Sequence, residues 1–254
     1  MADAAPPDVV GGEQRRAGLG RGALTTSILA VALVAAIVVG IYLEVRGGGA
    51  PASLPRASGI PANISTPVAD ELGVSPVPAH PAPNFTLADQ AGRTLSLSSF
   101  RGHAVVLEFM DPHCTDICPI VSQEFVDAYR DLGARAPAAV FIAVNVNRFH
   151  TSTGAMEAYS RAHGLSQIPD WHFFTGPVAA LRKVWQEYGV YVDAANAKAD
   201  VVHTSVVYWI DARGRERFVA APYADHHKNG KAYLPGATMA EWGHGLSTLA
   251  LDLR

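Results

Sequence analysis

Two short apolar stretches constrain this chain most: "AVVLEFM" at residues 104–110 and "AAVFIAVNV" at residues 138–146. Each is too brief for a typical buried helix and has the β-branched and aromatic content of a fully buried strand. Between them, from Pro119, the residues Val121, Phe125, Ala128 and Leu132 recur at helical spacing, and Gly133 is placed to end the helix. The rest alternates in the same way. "NFTLADQAGRTLSLSSF" reads as two short strands about an Ala91–Gly92 turn, a helix runs from about Thr153 to His163, and "WHFFTG" is a short strand. Pro177 can start a helix with Leu181, Val184, Trp185 and Tyr188 on one face. "TSVVYWIDARGRERFVAA" reads as a hairpin turning at Asp211 to Gly214, and Met239 to Leu251 as a closing helix. The pattern predicts an α/β domain with helices on both faces of a mixed sheet.

The amino-terminal third differs in kind. Leu24 to Leu43, "LTTSILAVALVAAIVVGIYL", carries no charge. At ~1.5 Å per residue it would cross about 30 Å of hydrocarbon as one helix. Arg15, Arg16 and Arg21 precede it, against Arg46 and Arg56 after it, which places residues 1–23 in the cytoplasm and the C-terminal bulk outside the cell membrane. Residues 44–82, crowded with Gly, Pro, Ala and Ser, read as a tether, so that the folded domain is expected over 83–254. With a formal net charge of -3, the chain has no basic footprint for nucleic acid.

Both cysteines fall in "HCTDICP", residues 113–119, between the first buried strand and the following helix. At a helix start, free backbone N–H groups and the helix dipole favour thiolate over thiol, making Cys114 the more reactive. Cys118, four residues on, projects to the same side. Two such thiols can close a disulfide or share a soft metal ion, and a third donor would complete a trigonal Cu(I) site. The spacing alone leaves these outcomes open, together with a plain stapling disulfide. The order of strand, dithiol and helix is the opening of a thioredoxin fold. In that topology His203, in "DVVHTSVVYWID", opens a strand where the chain returns beside the cysteine loop.

From about Pro83 onward the chain resembles the Sco/SenC family of membrane-tethered, thioredoxin-fold copper proteins that assist assembly of the copper centre of cytochrome c oxidase. The stretches that carry the likeness are "FTLADQAGRTLSLSSFRG", "HCTDICP" beside the family's His-Cys-Pro-Asp-Val-Cys-Pro, "FFTG" and "HTSVVYWIDARGR". The resemblance implies that Cys114, Cys118 and His203 hold copper, as Cu(I) and also Cu(II). It implies as partners a respiratory oxidase subunit or another copper-accepting protein, and a thiol reductant. Three positions depart from the family pattern. Thr115 stands for its usual proline, "NVNRFHTS" for an Asp-Pro-containing segment, and Glu108 for an aromatic residue.

Glu108 lies six residues before Cys114, where thioredoxins carry a buried acid that exchanges protons with the second thiol. Alternation puts Val106, Glu108 and Met110 on one face of the strand. In a covered sheet Glu108 would have a raised pKa suited to proton transfer; at an edge it would reach water. The alternative function is therefore a membrane-anchored extracytoplasmic thiol–disulfide oxidoreductase in which Cys114 attacks, Cys118 resolves and Glu108 accepts the proton. Zn(II) could also occupy the two sulfurs, His203 and a water. A thiol peroxidase is disfavoured, because Asp111 stands three residues before Cys114 where peroxiredoxins place Thr or Ser. His113 can lower the thiol pKa as a cation, Asp116 can cap the helix, and Met110 is either a weak thioether ligand or packing. The histidine-rich Asp225–Lys231 segment could collect a divalent metal or form a solvated loop, and His80 falls within the tether.

Overall fold

The structure, a computed structural model, describes residues 59–254. In chain order these form α1 (Thr66–Glu71), β1 (Ser75–Pro81), β2 (Thr86–Ala88), β3 (Thr94–Ser96), β4 (Ala104–Met110), α2 (Ile117–Leu132), β5 (Ala139–Asn145) and α3 (Thr153–Ala162). Then come β6 (Trp171–Phe174), α4 (Val178–Glu187), β7 (Val192–Asp193), β8 (Val202–His203), β9 (Val207–Ile210), β10 (Arg215–Ala220), β11 (Asp225–His226), β12 (Ala232–Tyr233) and α5 (Gly236–Asp252). The main sheet has six strands in the order β1-β10-β9-β4-β5-β6. β4, β5 and β6 run parallel, as their helical crossovers require, and β9, β10 and β1 add in antiparallel fashion. This is the mixed sheet of a thioredoxin-like α/β fold, and the two apolar stretches of the sequence are its adjacent central strands.

β4 and β5 are buried along their whole length, because both faces of the sheet are covered. Val106 and Met110 face a core that takes in Val121 and Phe125 of α2, Met156 of α3 and Trp242 and Leu246 of α5. Val105, Leu107 and Phe109 face the other core, built from Leu181 and Trp185 of α4 and from Phe85 and Leu87 beside the small β2–β3 hairpin. Gly92, at a φ of 77°, supplies the left-handed residue of that hairpin's turn. The predicted turn of the later hairpin is also present: Gly214 N–H donates to the Asp211 carbonyl at 2.7 Å.

The expected tether over 44–82 is in part folded. Ile64, Val68, Leu72 and Val74 are buried in the domain core, and β1 pairs with β10. Pro76, Pro78 and Pro81 sit in this strand because it is the sheet edge, where a missing N–H costs no ladder bond. His80 makes a cross-strand contact with Glu216 at 3.2 Å rather than lying free. The expected membrane helix at Leu24–Leu43 falls outside the described residues. Among the described residues, no helix is long and apolar enough to cross a membrane.

Candidate metal centre

The dithiol sits where β4 leaves the sheet, and Asp111 shapes the turn. Its carboxylate accepts the His113 N–H and the Asn147 side-chain amide, both at 2.9 Å, while its carbonyl accepts the Cys114 N–H at 3.1 Å. α2 then begins at Ile117, so Cys118 lies in its first turn and its backbone N–H points at the Cys114 sulfur, 3.4 Å away. That is an unpaired helix-start donor turned toward an anion site. Both thiols are free, Cys114 half-buried and Cys118 buried. The Cys118 thiol donating to Cys114, helped by the backbone N–H groups of residues 118 and 116, pulls the Cys114 pKa down to about 7. The same bond, with burial, pushes Cys118 well above the ordinary thiol value. The thiolate is therefore favoured at Cys114, while Cys118 keeps its proton.

His203 closes the short β7–β8 ladder opposite Val192, four residues before β9, so a separate small hairpin delivers it. Its Nδ1 lies 3.0 Å from the Thr204 carbonyl, which can only accept. Nδ1 therefore carries the proton and Nε2 keeps its lone pair. Burial lowers its pKa, leaving a neutral imidazole, the form that binds metal. His203 and Cys114 line one cleft of about 310 Å³ with Asp111, Asp116 and Asp200. No three His, Cys, Asp or Glu side chains among the described residues are gathered tightly enough to hold an ion. The sulfurs are paired with each other and the imidazole shares the cleft with Cys114.

Glu108 occupies the middle of the sheet, between β5 and β9, and is 1% exposed. The edge alternative is excluded. Ser205 Oγ donates to Glu108 Oε1 at 3.0 Å, while Oε2 is buried without a partner. Burial raises its pKa to about 8.

The sequence profile of the SCO1/SenC family matches residues 75–231, more than half of the chain. This chain belongs to the SCO1/SenC family. The mitochondrial SCO2 homolog of Bos taurus is 28% identical over 141 residues, 52% of this chain and 50% of that protein. The chain thus spans about half the length of that curated relative. The structure of Bradyrhizobium japonicum ScoI with copper bound superposes with a TM-score of 0.52 at 23% identity, covering 67% of this chain and 99% of that one. That likeness shows the fold. A 48-residue segment is also 48% identical to the chloroplastic peroxiredoxin Q of Oryza sativa subsp. japonica, covering 19% of this chain and 22% of that protein.

Of the positions at which this SCO1/SenC chain departs from the family pattern, the "NVNRFHTS" segment and Glu108 are held by hydrogen bonds, while Thr115 is exposed. In "NVNRFHTS", the Asn145 side chain accepts the Asn147 N–H at 2.7 Å and donates to the His150 carbonyl at 2.9 Å, and Asn147 in turn holds Asp111. Two amides thereby tie this loop to the cysteine turn. The His113 and His150 rings meet at a centroid distance of 3.9 Å, also bridging the two segments. Met110 is fully buried in the core, the packing alternative. Asp116 makes no side-chain cap and instead receives His226 Nε2 at 2.7 Å. The histidine-rich segment is a β11–β12 hairpin braced against the cysteine loop, with His227 stacked on Tyr233. Sequence reasoning missed Ser205, whose partner is 97 residues away, and Glu124 on α2, a buried carboxyl with neither oxygen partnered and a raised pKa caused first by burial. A signal for Glu124 existed: it is three residues after Val121, on the buried stripe.

Proposed function

We propose that this chain is a copper-binding metallochaperone of the Sco/SenC type, holding copper through the Cys114 and Cys118 thiolates and His203 Nε2 and assisting assembly of a respiratory oxidase copper centre. The observation that carries this reading is the pairing, on one cleft, of a thiol with a pKa near 7 and a neutral imidazole whose free nitrogen is Nε2. Two soft thiolates and one imidazole suit Cu(I), and the mixed shell also accepts Cu(II). The copper-bound state of the ScoI neighbour supports the same cargo. Binding displaces the Cys118 proton and requires the β7–β8 hairpin to bring the imidazole to the sulfurs. The ion then leaves to an oxidase subunit or another acceptor by ligand exchange, and a thiol reductant keeps the pair open. Residues 24–43 anchor the chain in the cell membrane, with the N-terminus cytoplasmic and the domain outside. An anaerobic Cu(I) titration tests this: His203→Ala should lose affinity about 100-fold while closing its disulfide at the wild-type rate. Equal affinities would remove His203 from the site.

A second reading has its own observation, the buried Glu108 carboxyl on the cysteine face of β4. As a thiol–disulfide oxidoreductase, Cys114 attacks a partner disulfide, Cys118 releases the mixed disulfide, and Glu108 accepts the Cys118 proton. Glu108→Gln should then slow the resolving step about 10- to 100-fold above about pH 8, where the carboxyl is ionised, with the attacking step unchanged. Stopped-flow rates equal to wild type would eliminate it. The two activities are compatible in one chain, because only the reduced pair takes copper.

A further inference from the structure

Four large apolar side chains stand exposed among the described residues: Phe149 at 40%, Tyr191 at 62%, Val202 at 63% and Tyr223 at 40%. Three of them belong to the segments around the Cys114–His203 cleft. Val202 lines it, one residue from His203. Tyr191 lies across the β7–β8 ladder, its N–H donating to Thr204 Oγ1 at 3.1 Å and its carbonyl accepting the Thr204 N–H at 3.0 Å. Phe149 is held by its N–H on Asn147 Oδ1 at 2.9 Å, and the Asn147 amide reaches Asp111 in the cleft. Arg148 lies over the Phe149 ring at 4.9 Å and donates to the Ala194 carbonyl, joining this loop to the β7–β8 connection.

These side chains are thus displayed on backbone that hydrogen bonds already fix, so that covering them costs little ordering entropy. Exposed Tyr, Phe and Val beside a functional cleft form the kind of apolar rim that partner proteins bury. The charges restrict the partner further. Asp111, Asp116 and Asp200 line the cleft with no Lys or Arg among its lining residues; Asp111 is buried on Asn147 and Asp116 already meets His226, so exposed Asp200 is the lining acid that faces a partner. Asp193, on β7 opposite Val202, is exposed as well. Of the neighbouring cations, Arg148 is spent on Phe149 and Ala194, and Lys198 stands exposed in the β7–β8 connection. Cys118 is buried and Cys114 half-buried, so a flat surface would not reach them; a protruding loop would.

We propose that this rim is the docking surface for a folded partner protein that inserts a loop with an apolar tip, a soft metal donor and flanking lysine or arginine residues. The identity of what is exchanged rests on the copper reading above, whereas the docking itself needs no metal. Acidic lining facing cationic flanks steers the encounter, and the apolar rim holds it.

The test uses the reduced full chain, metal-free and again after Cu(I) loading, and two fluorescent cyclic peptides with the same Trp-Met tip, one flanked by Lys and the other by Glu. Fluorescence anisotropy should show the Lys-flanked peptide binding about tenfold more tightly at low salt, with the preference fading at high salt. Tyr191→Ser/Val202→Ser should weaken that binding about tenfold, and Phe149→Ser less; Asp200→Lys should erase the charge preference, and Tyr223→Ser should change nothing. Each exposed substitution should keep the wild-type thermal midpoint. Equal affinity for the two peptides, or wild-type binding by Tyr191→Ser/Val202→Ser, overturns the proposal. So does sedimentation showing self-association that this double variant abolishes, which would give the rim to a second copy of the chain. Copper uptake without peptide binding removes the docking surface and leaves the metal reading standing. Peptide binding by a chain that takes no copper does the reverse.

Discussion

Replacing Cys118 with alanine removes the thiol that donates to Cys114, the first cause of the lowered Cys114 pKa of about 7. Thiolate absorbance against pH should therefore show the remaining thiol titrating about one unit higher or more in Cys118→Ala. An unshifted titration would mean that the helix start alone activates Cys114. Glu108 gives a second prediction at this scale. Its folded pKa, raised from 4.5 to about 8, means that between those values the folded chain holds a proton the unfolded chain has released. Stability should accordingly fall as pH rises from about 5 to 8. Glu108→Gln should flatten that fall in denaturant midpoints measured across the window, with Glu124→Gln run beside it because that carboxyl is shifted in the same direction. The cysteine pair, and Glu108 on its face of β4, were legible from spacing and alternation. The Ser205 hydroxyl on Glu108 was not, because such a bond exists only once β9's approach brings two distant segments together.

Among the elements, α2 and α5 pack closely because Gly243 has no side chain. A Cβ there would lie 2.9 Å from Asp127 Cβ and 3.3 Å from the Ala128 nitrogen. Gly243→Ala should therefore destabilise the domain by about 1–3 kcal/mol in urea unfolding, although alanine is the better helix former by ~1 kcal/mol. A stabilised variant would show that the helices can part without cost. Helix and strand positions in the central βαβ region followed from periodicity, since the burial that defines β4, α2 and β5 is local to each segment. β1 did not, for a physical reason: its three prolines remove the N–H groups that strand pairing uses, and only the edge position, a property of the whole sheet, makes them harmless. The β7–β8 ladder, two residues on each side, is too short to leave a pattern, although it delivers His203.

At the scale of the whole molecule, residues 64–81 belong to the domain rather than to a tether. Ile64, Val68, Leu72 and Val74 each contribute burial worth roughly 1.5–3 kcal/mol. A chain begun at residue 83 should melt well below one begun at residue 55, or fail to fold, in differential scanning calorimetry; equal midpoints would return that segment to the role of a spacer. The fold brings the cysteine turn to the end of β4 and the His203 hairpin to the same cleft, and the proposed copper site needs that hairpin to close on the sulfurs. X-ray absorption at the copper edge of the Cu(I)-loaded full chain tests that closure most directly. Copper should be met by two sulfur scatterers and one imidazole, with the imidazole signal lost in His203→Ala; a wild-type spectrum with sulfur alone, or with an imidazole that survives His203→Ala, would rule out the three-residue site.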